Sequence, residues 1–342
     1  MTDKYNYLIS GSASKLYPVD TFFGLLSVSK DDVLEIPKCY PFSGEWGVPL
    51  SKHLMDKEYY PIPQFLDMVY LSIIEGKFYS IETNLLEDKI MDLWNSSKRI
   101  IKNKYIIVGM APYGGVAVWG YEEKKSLIIC WKQGKDVFVD MKDFTPLTPN
   151  ISLADYCASY LKHNKQREAL PPRNLFDNYM KQFTYRYLAF FEKWKKDDEE
   201  WEKYADNENV PVFDFIEESL FDGTHDKLHD GGLMKYHQAG KPKKLRVEWH
   251  IGKSEYSAYF WFEDERIREV FDKFYGAHPE TKTDFIIRID AEKRKYELAL
   301  YRYGLKEPQV IPEDVYQLLV FKNKFEDYRS DNYNQERGAW IW

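Results

Sequence analysis

The sequence predicts an α+β fold: two antiparallel-sheet modules, each in β-β-α-β-β order, joined by a helical linker. Three observations predict it. Short runs rich in Val, Ile, Tyr and Phe are cut by glycine and proline, which is strand-and-turn chemistry. An amphipathic helix follows a hairpin in the first third and again in the last third. Between them lies a stretch whose aromatic residues recur at helical spacing. The expected divisions are an N-terminal module over 1–145, a linker with an acidic segment and a loop over 146–240, and a C-terminal module over 241–342.

In order, residues 5–28 predict two short strands around a turn. Tyr7, Ile9, Val19, Phe22 and Phe23 are β-formers, and Gly11, Ser12 and Pro18 break them. Pro37, Pro41, Pro49, Pro61 and Pro63, with Gly44 and Gly47, exclude a long helix or central strand over 37–63, because proline lacks the N–H a ladder needs. Trp46 anchors that loop. A strand over 66–74, a turn at Glu75-Gly76 and a strand over 77–81 follow. Leu86, Ile90, Leu93 and Trp94 then share one face of a helix over 85–94. Strands over 105–109, 116–121 and 126–131 complete the module.

A Pro-rich break at 145–149 precedes a helix over 152–169 with Leu153, Cys157, Tyr160 and Leu161 on one side. Pro171 and Pro172 end it. Leu175, Phe176, Tyr179, Met180, Phe183, Tyr187, Phe190, Phe191 and Trp194 predict a second helix from Arg173 to Ala205, ~50 Å long at 1.5 Å per residue. A loop with glycines and histidines covers 222–240. Strands over 245–251 and 255–262 flank a Gly252-Lys253 turn. A helix over 264–275 places Ile267, Val270, Phe271 and Phe274 on one face, and 284–290 with 296–303 form a hairpin. Tyr79-Ser80 matches Tyr256-Ser257, and Ile90, Leu93 and Trp94 match Ile267, Val270 and Phe271, all at an offset of 177 residues. An old duplication accounts for this; independent arrival at a common order is the alternative.

Composition narrows the function. With 342 residues, 44% hydrophobic and 17% aromatic, the chain has apolar surface for a sizeable core, which excludes wholesale disorder. No apolar run reaches the ~18 residues of a membrane helix. The start MTDKYNYLIS lacks a signal-peptide pattern. A cytoplasmic location is therefore expected, with a removed signal or lipid anchor as the alternative. Cys39, Cys130 and Cys157 lie far apart and form no CxxC pair, which suits free thiols. A net charge of −7 speaks against nucleic acid as a partner.

The segments "YPVDTFFG", "PIPQFLDMVYLSIIEGKFYS" and "YIIVGMAPYGGVAVWG" carry a pattern that resembles a family of bacterial proteins, domain-of-unknown-function family 2931. The resemblance covers roughly residues 5–135. It implies no catalytic residues. It implies a lipoprotein habit in many members, from which this sequence departs, because its first cysteine is Cys39. In members encoded beside secreted antibacterial effectors, notably type VI phospholipases, it implies immunity proteins.

Candidate chemistry is sparse. Pro112-Tyr113-Gly114-Gly115 lacks the GK[ST] of a phosphate loop and reads as a turn. His225, His229 and Asp230 could meet a zinc if the first two shared a helix face. Asp226 stands where HExxH has its general base, and Gly223, Gly231 and Gly232 favour a solvated loop instead. There is no GxSxG elbow, and Cys130 and Cys157 fall on apolar elements.

The charge is local. Residues 197–218 contain ten acids and one base, Lys203, so the other 320 residues are nearly neutral. Trp201, Tyr204, Phe213 and Phe215 are interleaved with the acids. A solvated helix end is one reading of such a run; a steering patch with aromatic anchors is the other. The second makes Asp197, Asp198, Glu199, Glu200, Trp201, Glu202, Tyr204, Glu217 and Glu218 the partner-binding residues. The expectation is an immunity-type inhibitor, not an enzyme, that needs no cofactor and occludes a cognate toxin with a basic surface. The alternative is a metal-dependent hydrolase or small-ligand binder that uses the 225–237 loop.

Overall fold

Strand Phe65–Ser72 shows how this sequence makes sheet. Leu66, Met68 and Tyr70 belong to one apolar cluster and Val69 and Leu71 to another, and all five are buried. Side chains alternate across a strand, so a strand covered on both faces needs apolar residues at both parities. The computed structural model describes residues 4–29, 32–37, 44–50, 59–95, 104–122, 125–164, 170–191, 211–229, 235–290, 295–322 and 326–327. These form a strand-rich α+β protein in two compact units: Met1–Met180 with Asp222–Thr224, and Lys181–Phe221 with His225–Trp342.

The first unit contains β1 (Lys4–Tyr5), β2 (Leu8–Ala13), β3 (Val19–Ser27), β4 (Val33–Glu35), β5 (Tyr60–Pro61), β6 (Phe65–Ser72), β7 (Lys77–Asn84), α1 (Glu87–Asn95), β8 (Lys104–Met110), β9 (Gly115–Glu122), β10 (Lys125–Gln133), β11 (Lys135–Val137), α2 (Met141–Phe144), α3 (Leu153–Asn164) and α4 (Leu175–Met180). One sheet has the order β4-β3-β6-β7-β11 and another β2-β8-β9-β10, with β2 and β8 parallel, while β1 and β5 pair as a two-stranded sheet. Ile9, Leu66, Met68, Ile106, Val108 and Val118 form the core with Ile90, Leu93 and Trp94 of α1. Helices α2 and α3 cover the outer face of the first sheet, where Leu71 and Phe78 are only 0% and 2% exposed. Helix α4 packs with Trp46 on the outer face of the second.

The second unit contains β12 (Phe183–Phe191), β13 (Pro211–Leu220), β14 (His225–His229), β15 (His237–Ala239), β16 (Pro242–Ile251), β17 (Ser254–Phe262), α5 (Asp264–Tyr275), β18 (Thr283–Asp290), β19 (Lys295–Tyr301), β20 (Gln309–Val310), β21 (Tyr316–Lys322) and β22 (Glu326–Asp327). Its sheets run β14-β13-β16-β17-β21-β22 and β15-β12-β18-β19-β20, with β12 and β18 parallel. Apart from β15 and β22 here and β1 and β5 there, these orders repeat those of the first unit strand for strand. Leu245, Val247, Phe260, Phe285, Ile287 and Leu298 fill the core with Ile267 and Phe271 of α5.

Three expectations are corrected. Within the span expected as one helix from Arg173 to Ala205, α4 stops at Met180 and Phe183–Phe191 is a strand. Phe183, Tyr185 and Tyr187 are buried at spacing two, aromatic residues suit a pleated surface, and β18 supplies the parallel ladder. The 222–240 stretch holds two strands, β14 and β15, in place of an open loop. The expected linker therefore dissolves. Residues 146–180 belong to the first unit, and strands from 183 onward belong to the second.

Candidate functional site

On β13 the pairing Phe213↔Trp249 is followed by Phe215↔Glu248, so Asp214 is the extra residue of a β-bulge. A bulge re-aims a side chain out of the ladder. Asp214 Oδ1 lies 2.9 Å from His250 Nδ1, and both side chains are part-exposed. They open on a recess of about 380 Å³ that Glu248, Lys253, Glu255 and Ser257 also line. Three carboxylates thus face one lysine there.

Beside the recess, the outer face of the six-stranded sheet alternates cations with rings. Lys227 Nζ lies 3.5 Å from the Phe215 ring centre. Arg246 packs between Phe215 and Tyr259 at 5.5 and 5.4 Å and pairs with Glu217 at 3.3 Å and with Glu248. Tyr259 and Trp261 stack at 5.5 Å, Lys244 lies beside both, and Phe321 meets Tyr259 edge-on. Charged groups held against rings in this way form a stiff surface of mixed polarity.

The inner side of the same strand is different. Glu218 is 2% exposed and accepts from the Tyr187 hydroxyl at 2.5 Å. His237 Nε2 stands 3.6 Å from its other oxygen. Burial opposes protonation of this imidazole, but Glu218, together with the Lys235 carbonyl and Asp226, outweighs it, and the pKa is raised. The strand period therefore splits two expected partner-binding residues. Glu217 reaches the outer face, while Glu218, expected at a partner surface, is buried against Tyr187. Asp197, Asp198, Glu199, Glu200, Trp201, Glu202 and Tyr204 lie outside the described residues.

His225 and His229 are four apart on β14, paired opposite Ser219 and Phe215. At about 3.3 Å per residue their backbones are ~13 Å apart, too far for one zinc to hold both. Asp230 lies outside the described residues, and among the described residues no group of three His, Cys, Asp or Glu could hold a metal. The Pro112–Gly114 segment is a short 3-10 turn in which Tyr113 has φ 62° and donates its N–H to Glu75. Burial pushes the thiols of Cys130 and Cys157 up to about 11, which leaves them protonated and unreactive at neutral pH.

Sequence reasoning missed the Asp214–His250 pair and its recess. The signal was present: Lys244, Arg246, Glu248 and His250 alternate with Leu245, Val247 and Trp249, which marks a strand with one apolar and one charged face.

Residues 7–173 match the family described as Protein of unknown function (DUF2931). Over these residues the chain is similar to that family. The DUF2931 match falls inside the first unit, so the Asp214–His250 recess lies beyond it. No curated protein and no solved structure matches the chain. Among the described residues no helix is long and apolar enough to cross a membrane.

Proposed function

We propose that this protein binds another protein, and that it does so as an immunity-type inhibitor that occludes a cognate bacterial toxin with a basic surface. One observation carries the reading. The described end of the acidic run forms β13, and it puts Asp214 and Glu217 on the same face as Glu248, beside the recess that Glu255 also lines. A carboxylate-lined recess with aromatic neighbours suits a cationic anchor, since complementary charge speeds encounter and buried rings supply contact area. The resemblance to proteins encoded beside secreted effectors supplies the kind of partner. The strand-for-strand repeat of sheet order supports descent of the two units from one duplicated module.

The test is association kinetics with the product of the neighbouring effector gene at low and high salt. Reversal of Asp198, Glu199 and Glu200 to Lys is expected to slow the on-rate by about tenfold or more at low salt. Rates that ignore both salt and the reversals overturn the proposal.

A further inference from the structure

The two units treat one equivalent sheet face in opposite ways. In the first, β3 carries a bulge between Thr21 and Phe23, opposite Tyr70 and Val69. In the second, β13 carries a bulge between Phe213 and Phe215, opposite Trp249 and Glu248. The ladders β6–β7 and β16–β17 keep step, with Val69↔Ser80 and Leu71↔Phe78 answering Glu248↔Ser257 and His250↔Glu255. Strand order, bulge and register therefore equate Phe22 with Asp214, Phe23 with Phe215, Val69 with Glu248, Leu71 with His250 and Phe78 with Glu255.

In the first unit this face seats the protein's own helices. Phe144 of α2 packs on Phe22 and Phe78 at 6.0 and 4.9 Å, and Tyr156 of α3 bonds to Asp20. In the second unit the apolar floor at the bulge has become acid and histidine. Aromatic residues remain farther along, at Phe215, Tyr259, Trp261 and Phe321. Among the described residues of that unit the one α-helix, α5, turns its apolar side to the core instead. Sequence change at the positions that a helix covers in one copy, from apolar to charged, is what a changed occupant requires.

We infer that the outer face of β13-β16-β17-β21 seats an amphipathic helix of the partner, in the place that α2 and α3 take in the first unit. A basic side chain of that helix enters the Asp214–Glu248 recess, and its apolar row lies on Phe215, Tyr259 and Phe321. The charge favours a partner with a basic stripe: an aliphatic helix like α3 would strip water from Asp214, Glu248 and Glu255 and add nothing to the partners that His250 and Arg246 already supply. This rests on the protein-binding reading and adds the docking element to it.

Two synthetic amphipathic peptides of about five turns, alike in their leucine face and carrying either Lys or Glu on the polar face, are titrated calorimetrically into the full chain. The Lys peptide is expected to bind and the Glu peptide to fail. Asp214→Asn with Glu248→Gln, which keeps shape, and Tyr259→Ala, which removes a ring, are each expected to weaken the Lys peptide about tenfold or more. Equal affinity for those variants overturns the seat while leaving a basic partner intact. Failure of both peptides overturns the seat and counts against the basic partner as well. Binding that appears only after removal of residues 328–342 gives the face to that segment of the chain, and the inference falls.

Discussion

The hydroxyl of Tyr187 donates to Oε2 of Glu218 at 2.5 Å inside the second unit, while His237 approaches Oε1 at 3.6 Å. Three strands, β12, β13 and β15, thus meet on one buried carboxylate. Burial opposes His237 protonation, but Glu218, helped by the Lys235 carbonyl and Asp226, outweighs it, so the folded pKa is raised above the ordinary 6.5. A raised pKa means that the folded state holds this proton more tightly than the unfolded chain does. The resulting stability is full below about pH 6.5 and is lost as pH rises through the folded value. Melting temperature is therefore expected to fall between about pH 6 and pH 8, and Glu218→Gln is expected to flatten that slope. An identical slope in the variant would remove the pair as its cause.

Glycine substitutions separate backbone strain from crowding. Gly114 has φ +84°, and an added Cβ would lie 2.9 Å from the Tyr79 ring and 3.0 Å from the Gly134 carbonyl. Gly276, past the end of α5, has φ +55° with nothing within 4 Å. Gly276→Ala is expected to cost about 1–3 kcal/mol, the strain alone of a backbone region (φ 55°, ψ −124°) that residues with a Cβ rarely adopt. Gly114→Ala should cost about 1–3 kcal/mol more from overpacking. Equal urea midpoints for the two variants would contradict the crowding.

Helix α5 was legible because Ile267, Phe271 and Phe274 recur against charged neighbours, and Glu263 caps the start by accepting from the Arg266 N–H. Strand β12 was not. In Phe183–Phe191 nearly every residue is aromatic or apolar, so periods of 2 and 3.6 fit equally and no pattern chooses. What decides is β18, a hundred residues later, through a parallel ladder invisible to local reading. The candidate site divides the same way. Acidity at 197–218 was countable, but which of two adjacent glutamates faces outward depends on the Asp214 bulge, and a bulge leaves no composition signal.

A polar contact helps fasten helix α3 to its sheet: Tyr156 donates to Asp20 Oδ2 at 2.5 Å, beside the apolar cluster that Leu153, Cys157, Tyr160 and Leu161 join. Burial raises the Asp20 pKa and the Tyr156 bond works against that rise. Tyr156→Phe strips the Asp20 carboxyl of its side-chain donor and leaves the Thr21 N–H, at a cost of about 1–3 kcal/mol. The adjacent Cys157 is buried, so its thiol reacts only when α3 lifts. With Cys39 and Cys130 replaced by serine, Tyr156→Phe is expected to speed labelling of Cys157 about tenfold. Unchanged labelling would show that apolar packing alone holds the helix.

Strand geometry also fixes what the 225–229 histidines can do. Both lie on β14, opposite Phe215 and Ser219, and a strand keeps such positions ~13 Å apart at its two ends. Zinc bound by a shared pair would need them within one coordination sphere, about 2 Å from the ion on each side. To bring them together β14 would have to leave the sheet and give up its ladder with β13. An equimolar addition of zinc is therefore expected to leave the melting temperature of the full chain unchanged, as is subsequent chelation. Binding of N and not U by even a moderate ligand raises stability by several kcal/mol at saturation, so the measurement is sensitive. A zinc-dependent rise that disappears in both His225→Ala and His229→Ala would mean that β14 is not a strand in solution.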